Sequence, residues 1–244
     1  MDLHASTWTD VDAAGTDLAL LPVGSTEQHG PHDPLGTDFL TAGRVASETA
    51  DRMADSVMVA PPVPVGISEE HSQFTGTLWV APDTFRSYVR EVAESLVHHG
   101  WNRIVLVNGH GGNVPALGEV AADLSRQSEA LVVPFTWFDA VDGQFDMGHA
   151  GPIETSFLLH THPELVREDR LEAGRDGGTD SWGEWVSGTN LAHDAAEFTE
   201  NGTVGDPTKA SAEAGENLLD GAVTALEALL EAVAERPVEK PTHR

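Results

Sequence analysis

The 244-residue sequence contains no cysteine. Disulfides are excluded, and so are thiolate metal ligands and a cysteine nucleophile. Any bound metal must sit on His, Asp and Glu, a donor set that suits zinc, manganese or iron. Basic residues are scarce: 13 Lys and Arg stand against 40 Asp and Glu, a formal net charge of -27. Phosphate backbones need a basic surface, so nucleic-acid binding is not expected. The acids are spread along the chain instead of massed in a tail. That is the pattern of a wholly acidic, halophilic surface, whose self-repulsion makes folding depend on salt. Long apolar runs are missing too, so no membrane span is expected. Met1 to Asp10 has acidic residues and no apolar centre, unlike a signal peptide. The default expectation is a cytoplasmic protein.

What is present alternates between short apolar strands and amphipathic helices. Strands are expected at Leu18–Val23, Val57–Val63, Arg103–Val107 and Ala130–Phe135. Helical spacing covers Thr41–Ala54, Thr84–His99 with Asp83 as N-cap and Gly100 as stop, Pro115–Arg126, and Ala210–Glu235. Such alternation predicts a parallel sheet with helices on both faces. Glu172 to Asp206 lacks periodicity and reads as a long loop region over the site. No repeat or linker divides the chain, so residues 1–235 are expected to form one domain. The last stretch, 236–244, with two prolines, is expected to be a disordered tail.

In open parallel sheets, sites form at the carboxyl ends of strands. Two segments of unusual content lie there: Gly24 to Asp38 after the first strand and Asn108 to Asn113 after the third. Glu27 and His29, two apart, share one side of an extended segment. Asp38 follows a Gly/Pro-rich turn that can fold back, and His110 arrives from a neighbouring strand end. Two carboxylates and two imidazoles suit one or two divalent ions, with Asp38 able to bridge a pair. Two plainer readings stand beside this one. Loop histidines commonly serve as surface or hydrogen-bonding residues, and the Gly-rich loop before a helix could cradle phosphate. A third segment, Gly148 to Ser156, sets His149 and Glu154 around an Ala-Gly-Pro break, where Glu154 could equally stabilise a helix start.

Five ordered motifs then identify a resemblance to the creatininase (creatinine amidohydrolase) family, over about Leu21 to Leu219. They are GSTEQHGPHDPLGTD at Gly24–Asp38, GISEEHSQFTGTL at Gly66–Leu78, NGHGGN at Asn108–Asn113, HAGPIETS at His149–Ser156, and GDPTKASAEAGE at Gly205–Glu216. The resemblance implies a three-layer α/β/α sandwich around a mainly parallel sheet, a homohexamer, and two divalent metal ions (zinc, manganese or iron). It implies hydrolysis of a C–N bond in a small-molecule amide. Carried over by motif, Glu27, Asp38 and His110 hold one metal. His29 and Asp38 hold the other, and His149 transfers protons near the substrate.

One position departs from the family pattern. The glutamate that binds the second metal two residues after the histidine matching His110 is here Gly112. Glu154 is the expected substitute as ligand and catalytic carboxylate, with room left beside the Gly-rich loop. Glu70, His71, Gly111 and Gly112 are expected in the substrate pocket. Trp182 and Trp185 are expected to pack in the core, although they lie where they could cover a substrate.

Several activities share this chemistry. One is removal of a formyl group from a formylaminopyrimidine nucleotide on the route to riboflavin and deazaflavin. Another is peptide cleavage during mycofactocin maturation. A phosphate-bearing substrate needs local cations, and Arg44, Arg86 and Arg103 lie outside every motif. A non-catalytic scaffold with the same fold is the competing class.

Overall fold

The computed structural model describes residues 1–53, 57–141 and 146–238. Four parallel strands form the main sheet: β1 (Leu18–Val23), β2 (Met58–Val59), β3 (Arg103–Asn108) and β4 (Leu131–Thr136), in the order β2-β1-β3-β4. The seven α-helices among the described residues are α1 (Trp8–Asp12), α2 (Thr37–Arg52), α3 (Pro82–His98), α4 (Val114–Gln127), α5 (Pro152–Thr161), α6 (Leu171–Asp176) and α7 (Ala212–Glu235). A small antiparallel ribbon, β5 (Trp185–Val186) with β6 (Thr189–Asn190), stands apart.

Every residue of β1 is buried, which explains its unbroken apolar run: both faces of the sheet are covered. Leu18 and Leu20 point into one core with Val105 and Val107, under α2, α5 and α7. Ala19, Leu21 and Val23 point into the other with Ile104 and Leu106, under α3 and α4. The period-2 alternation thus builds the expected three-layer α/β/α sandwich. Truncating a fully buried leucine such as Leu106 to alanine costs about 2–5 kcal/mol.

Several boundaries differ from expectation. The second strand is Met58–Val59, not Val57–Val63, because the prolines at 61, 62 and 64 lack ladder donors; Val63 only bridges to Val23. Helix α3 starts at Pro82, pre-set for the first helical position, so Ala81 is the N-cap and Asp83 lies in the first turn. Helix α2 starts at Thr37, four residues before the expected start; Ala54 at its expected end lies outside the described residues. Asp38 therefore sits in a helical first turn instead of a loop. The 172–206 region contains most of α6 and the β5–β6 ribbon. Of the expected tail, 239–244 lies outside the described residues. Arg236 is held, its carbonyl accepting from the Arg103 guanidinium at 3.2 Å.

Candidate metal centre

Three carboxyl-end segments converge beyond the sheet. The loop leaving β1 carries Glu27 and His29 and closes on itself, the Glu27 N–H donating to the Leu35 carbonyl at 2.9 Å. It leads into α2, whose first turn places Asp38 beside them. His110 follows β3, and α5 brings Glu154, with His149 just before it. All six side chains are buried.

Asp38 presents one oxygen to each of two imidazoles. Oδ1 lies 3.0 Å from His29 Nε2, and Oδ2 lies 3.3 Å from His110 Nδ1. His110 Nδ1 is also 3.2 Å from Glu27 Oε2, and Glu154 Oε1 is 3.6 Å from His29 Nε2. The other nitrogen of each ring is tied to a main-chain carbonyl. His110 Nε2 donates to Ile67 at 2.6 Å, His29 Nδ1 to Glu27 at 3.2 Å, and His149 Nε2 to Gln28 at 2.6 Å. A carbonyl only accepts, so in the neutral rings the inward nitrogens carry lone pairs. Lone pairs aimed at carboxylates repel unless a cation lies between them.

The protonation preferences say the same. Burial alone would lower His29, but Asp38 and Glu154 carry it well above the ordinary imidazole value. His110 is likewise raised against the cost of burial, by Glu27 and Asp38. Burial pushes Asp38 up, yet His29 and His110 outweigh it and hold the carboxyl below the usual range. His149 is lowered by burial and by His29. Glu27 Oε1 and Oε2, His29 Nε2 and Asp38 Oδ2 are buried without hydrogen-bond partners. Orphaned acceptors of this kind, on hard and borderline donors, fit divalent cations. The ligand atoms of Glu27, Asp38 and His110 lie within 4.8 Å of one another, and so do those of His29, His149 and Glu154.

Above the cluster is a cavity of about 380 Å³, lined by Glu27, Asp38, Glu70, His71, His110, Gly111, Gly112, Phe138, Met147, Gly148, His149, Glu154 and Trp182. The four expected pocket residues are all here. At Gly112 itself, however, there is no room for a side chain. A Cβ at Gly112 would meet the Ile67 carbonyl at 2.4 Å, His110 Nε2 at 2.5 Å and Glu70 Oε1 at 3.0 Å. The His110–Ile67 hydrogen bond draws the 66–71 segment down over this turn. Glu154 comes from the first turn of α5, its Oε2 accepting from the Ala150 N–H at 2.6 Å. Ala150 takes a left-handed conformation, φ 50°, to make that contact.

Trp182 is not a core residue as expected. Its ring meets His71 edge-on at 5.5 Å and His149 at 6.1 Å, roofing the cavity. Trp185 is neither in the core nor at the site; it is 59% exposed on the ribbon. Phe138, Met147 and the buried pair His32–Asp33 had no expected role. His32, the second histidine of GSTEQHGPHDPLGTD, was the one available signal for the pair. Arg44, Arg86 and Arg103 pair with Glu48, Glu119 and Asp17, away from the cavity.

Comparison with known proteins adds the following. A family model described as creatininase (creatinine amidohydrolase) matches residues 4–230. A mycofactocin precursor peptide peptidase from Mycolicibacterium smegmatis is 41% identical over 207 residues, 82% of this chain and 79% of its own. A creatinine amidohydrolase from Pseudomonas putida is 30% identical, over 68% of this chain and 73% of its own. A solved structure named "Creatininase Mn" superposes with a TM-score of 0.80 at 25% identity, covering 96% of this chain and 99% of that one.

Proposed function

The chain belongs to the creatininase family, whose members are hydrolases, and we propose that it is a metal-dependent amidohydrolase cleaving a C–N bond of a short peptide or small amide. The observation that carries this reading is the orientation of His29, His110 and His149. Each gives one N–H to a main-chain carbonyl and turns its other nitrogen toward carboxylates, the arrangement that fixes imidazole ligands in metal sites.

Glu27, Asp38 and His110 would hold one ion, and His29, Asp38 and Glu154 would hold a second, with Glu154 in place of the carboxylate missing at Gly112. Divalent ions bound there would supply Lewis acidity toward the amide carbonyl and lower the pKa of a nearby water. His149 Nδ1, 3.7 Å from Glu27 Oε1, takes the proton of the attacking water and delivers it to the departing nitrogen. Main-chain N–H groups of Gly111 and Gly112 line the wall where the carbonyl oxygen gains charge. Trp182 covers the site against bulk water.

Among the described residues, the lining contains four carboxylates and no Lys or Arg, alongside Phe138, Met147 and Trp182. Such a wall favours a neutral or cationic, partly apolar substrate and disfavours the phosphorylated formylaminopyrimidine. The relative named as a mycofactocin precursor peptide peptidase points the same way, toward a short peptide.

Metal analysis of protein purified in high salt, paired with hydrolysis assays on short peptides, formamides and creatinine, tests this function. About two ions per chain and chelator-sensitive peptide cleavage are expected. Metal-loaded protein that hydrolyses none of the three classes would overturn it.

A further inference from the structure

A fourth imidazole reaches the same cluster but is wired the opposite way. His71 sits in the 3-10 turn Glu69–His71, 1% exposed, stacked on the His149 ring at 4.4 Å and 19°. Its Nε2 lies 3.5 Å from Glu27 Oε1, and the ligand atoms of Glu27, His71 and His149 lie within 4.8 Å of one another. By position alone His71 is a candidate ligand.

Its outer nitrogen decides otherwise. His71 Nδ1 faces no carbonyl; it lies 2.8 Å from the side-chain nitrogen of Gln28. The Gln28 carboxamide cannot be turned over. Its Oε1 accepts from the Gly30 N–H at 2.9 Å, and its Nε2 donates to the Gly202 carbonyl at 3.2 Å. The amide packs against Gly202 so closely that a Cβ there would lie 1.9 Å from Oε1. The second Gln28 N–H therefore points at His71 Nδ1, which must accept. A neutral imidazole accepting at Nδ1 carries its proton on Nε2, and an Nε2–H has no lone pair for a metal.

We infer that Gln28 locks His71 in the tautomer whose Nε2–H faces Glu27 Oε1 at 3.5 Å, making it a positioning residue that holds Glu27 by charge–dipole attraction and not itself a ligand. The cluster then divides by wiring: rings anchored on carbonyls offer lone pairs inward, and the ring anchored on an amide offers a proton. Hydrogen-bond partners of metal ligands commonly change metal affinity about 10–100-fold when removed, which sets the expected scale. The role assigned to Glu27 rests on the metal-site reading; the lock itself does not.

Two measurements test the inference. Long-range 1H–15N NMR of histidine-labelled, metal-free protein reads the tautomer directly. His71 is expected to show protonated Nε2 and bare Nδ1, in that state and after zinc loading. A protonated Nδ1, or a zinc-induced coordination shift at Nε2, would overturn the lock whatever the fate of the metal reading. Zinc titration of variants reads the positioning. His71→Ala is expected to weaken affinity about 10-fold with stoichiometry kept, and His71→Gln, which restores an N–H near the same place, to recover most of it. Gln28→Glu exchanges the donor for an acceptor and is expected to move the His71 proton to Nδ1. Unchanged affinity in His71→Ala sinks the positioning role. Loss of one ion per chain in both His71 variants makes His71 a ligand instead.

Discussion

His110 and Asp38 face each other at 3.3 Å, Nδ1 to Oδ2, across the gap between the end of β3 and the first turn of α2. Neither segment could place this pair alone. Their opposition makes His110 the sharpest single test of the centre. His110→Ala should abolish the metal binding proposed for Glu27 and Asp38 and lower kcat by at least about 100-fold, beyond the scale at which outer partners act. Inductively coupled plasma analysis with a turnover assay checks both. Full activity in the variant would remove His110 from the site.

Gly112 makes a steric prediction. Because an added Cβ would press on the Ile67 carbonyl at 2.4 Å and on His110 Nε2 at 2.5 Å, Gly112→Ala should break the hydrogen bond that orients His110. The expected cost is about 1–3 kcal/mol of stability, the range for overpacking, with weaker metal binding. Gly111→Ala, which meets nothing within 4 Å, should be close to neutral. Chemical denaturation of the three proteins side by side decides it; equal losses at both positions would contradict the packing argument.

The buried Asp33 predicts a pH dependence in the metal-free protein. Burial raises its carboxyl from 3.8 to about 7 against the Thr155 hydroxyl that hydrogen-bonds it at 2.7 Å. The folded state therefore holds this proton more tightly than the unfolded chain, and the stabilisation is lost as pH rises through about 7. The gap is worth up to roughly 4 kcal/mol. Neighbouring His32, lowered by burial from 6.5 to about 4, acts with the opposite sign, losing stability as pH falls from 6.5. Asp33→Asn should thus gain on the wild type as pH rises from 5 to 8. Urea midpoints at the two pH values measure this, and a constant difference would refute it.

Net charge gives a prediction independent of the site. At -27, repulsion among surface carboxylates opposes the compact state and is screened within about 10 Å at 0.1 M salt and about 3 Å at 1 M. The thermal midpoint should climb steadily from 0.1 to 2 M KCl. A flat profile would show that the acids do not govern stability.

Much of this was readable before the fold. The four main strands stood out because a sheet covered on both faces needs continuous apolar runs, and β1 is such a run. Glu27, His29, Asp38 and His110 stood out because motif spacing survives the loss of three-dimensional context. Other features were invisible for physical reasons. The closure over Gly112 depends on a hydrogen bond between His110 and a carbonyl 43 residues away, which leaves no local signature. Trp182 looked like a core residue because an aromatic roof and an aromatic core have the same composition. The tautomer of His71 depends on Gln28, and Gln28 on Gly202. Only the three-dimensional geometry reveals that chain of dependence.

The parts of the centre are strung out along the polypeptide. Glu27, His29 and Asp38 come after β1, His110 after β3, and His149 and Glu154 only with α5. A chain still being synthesised thus exposes an acidic half-site long before the pairing of β1 with β3 closes it. On the proposed metal reading, tight capture would wait for the finished sandwich, and metal would act as the last fastener: each tenfold rise in free ion above its dissociation constant would add about 1.4 kcal/mol per site to the native state alone.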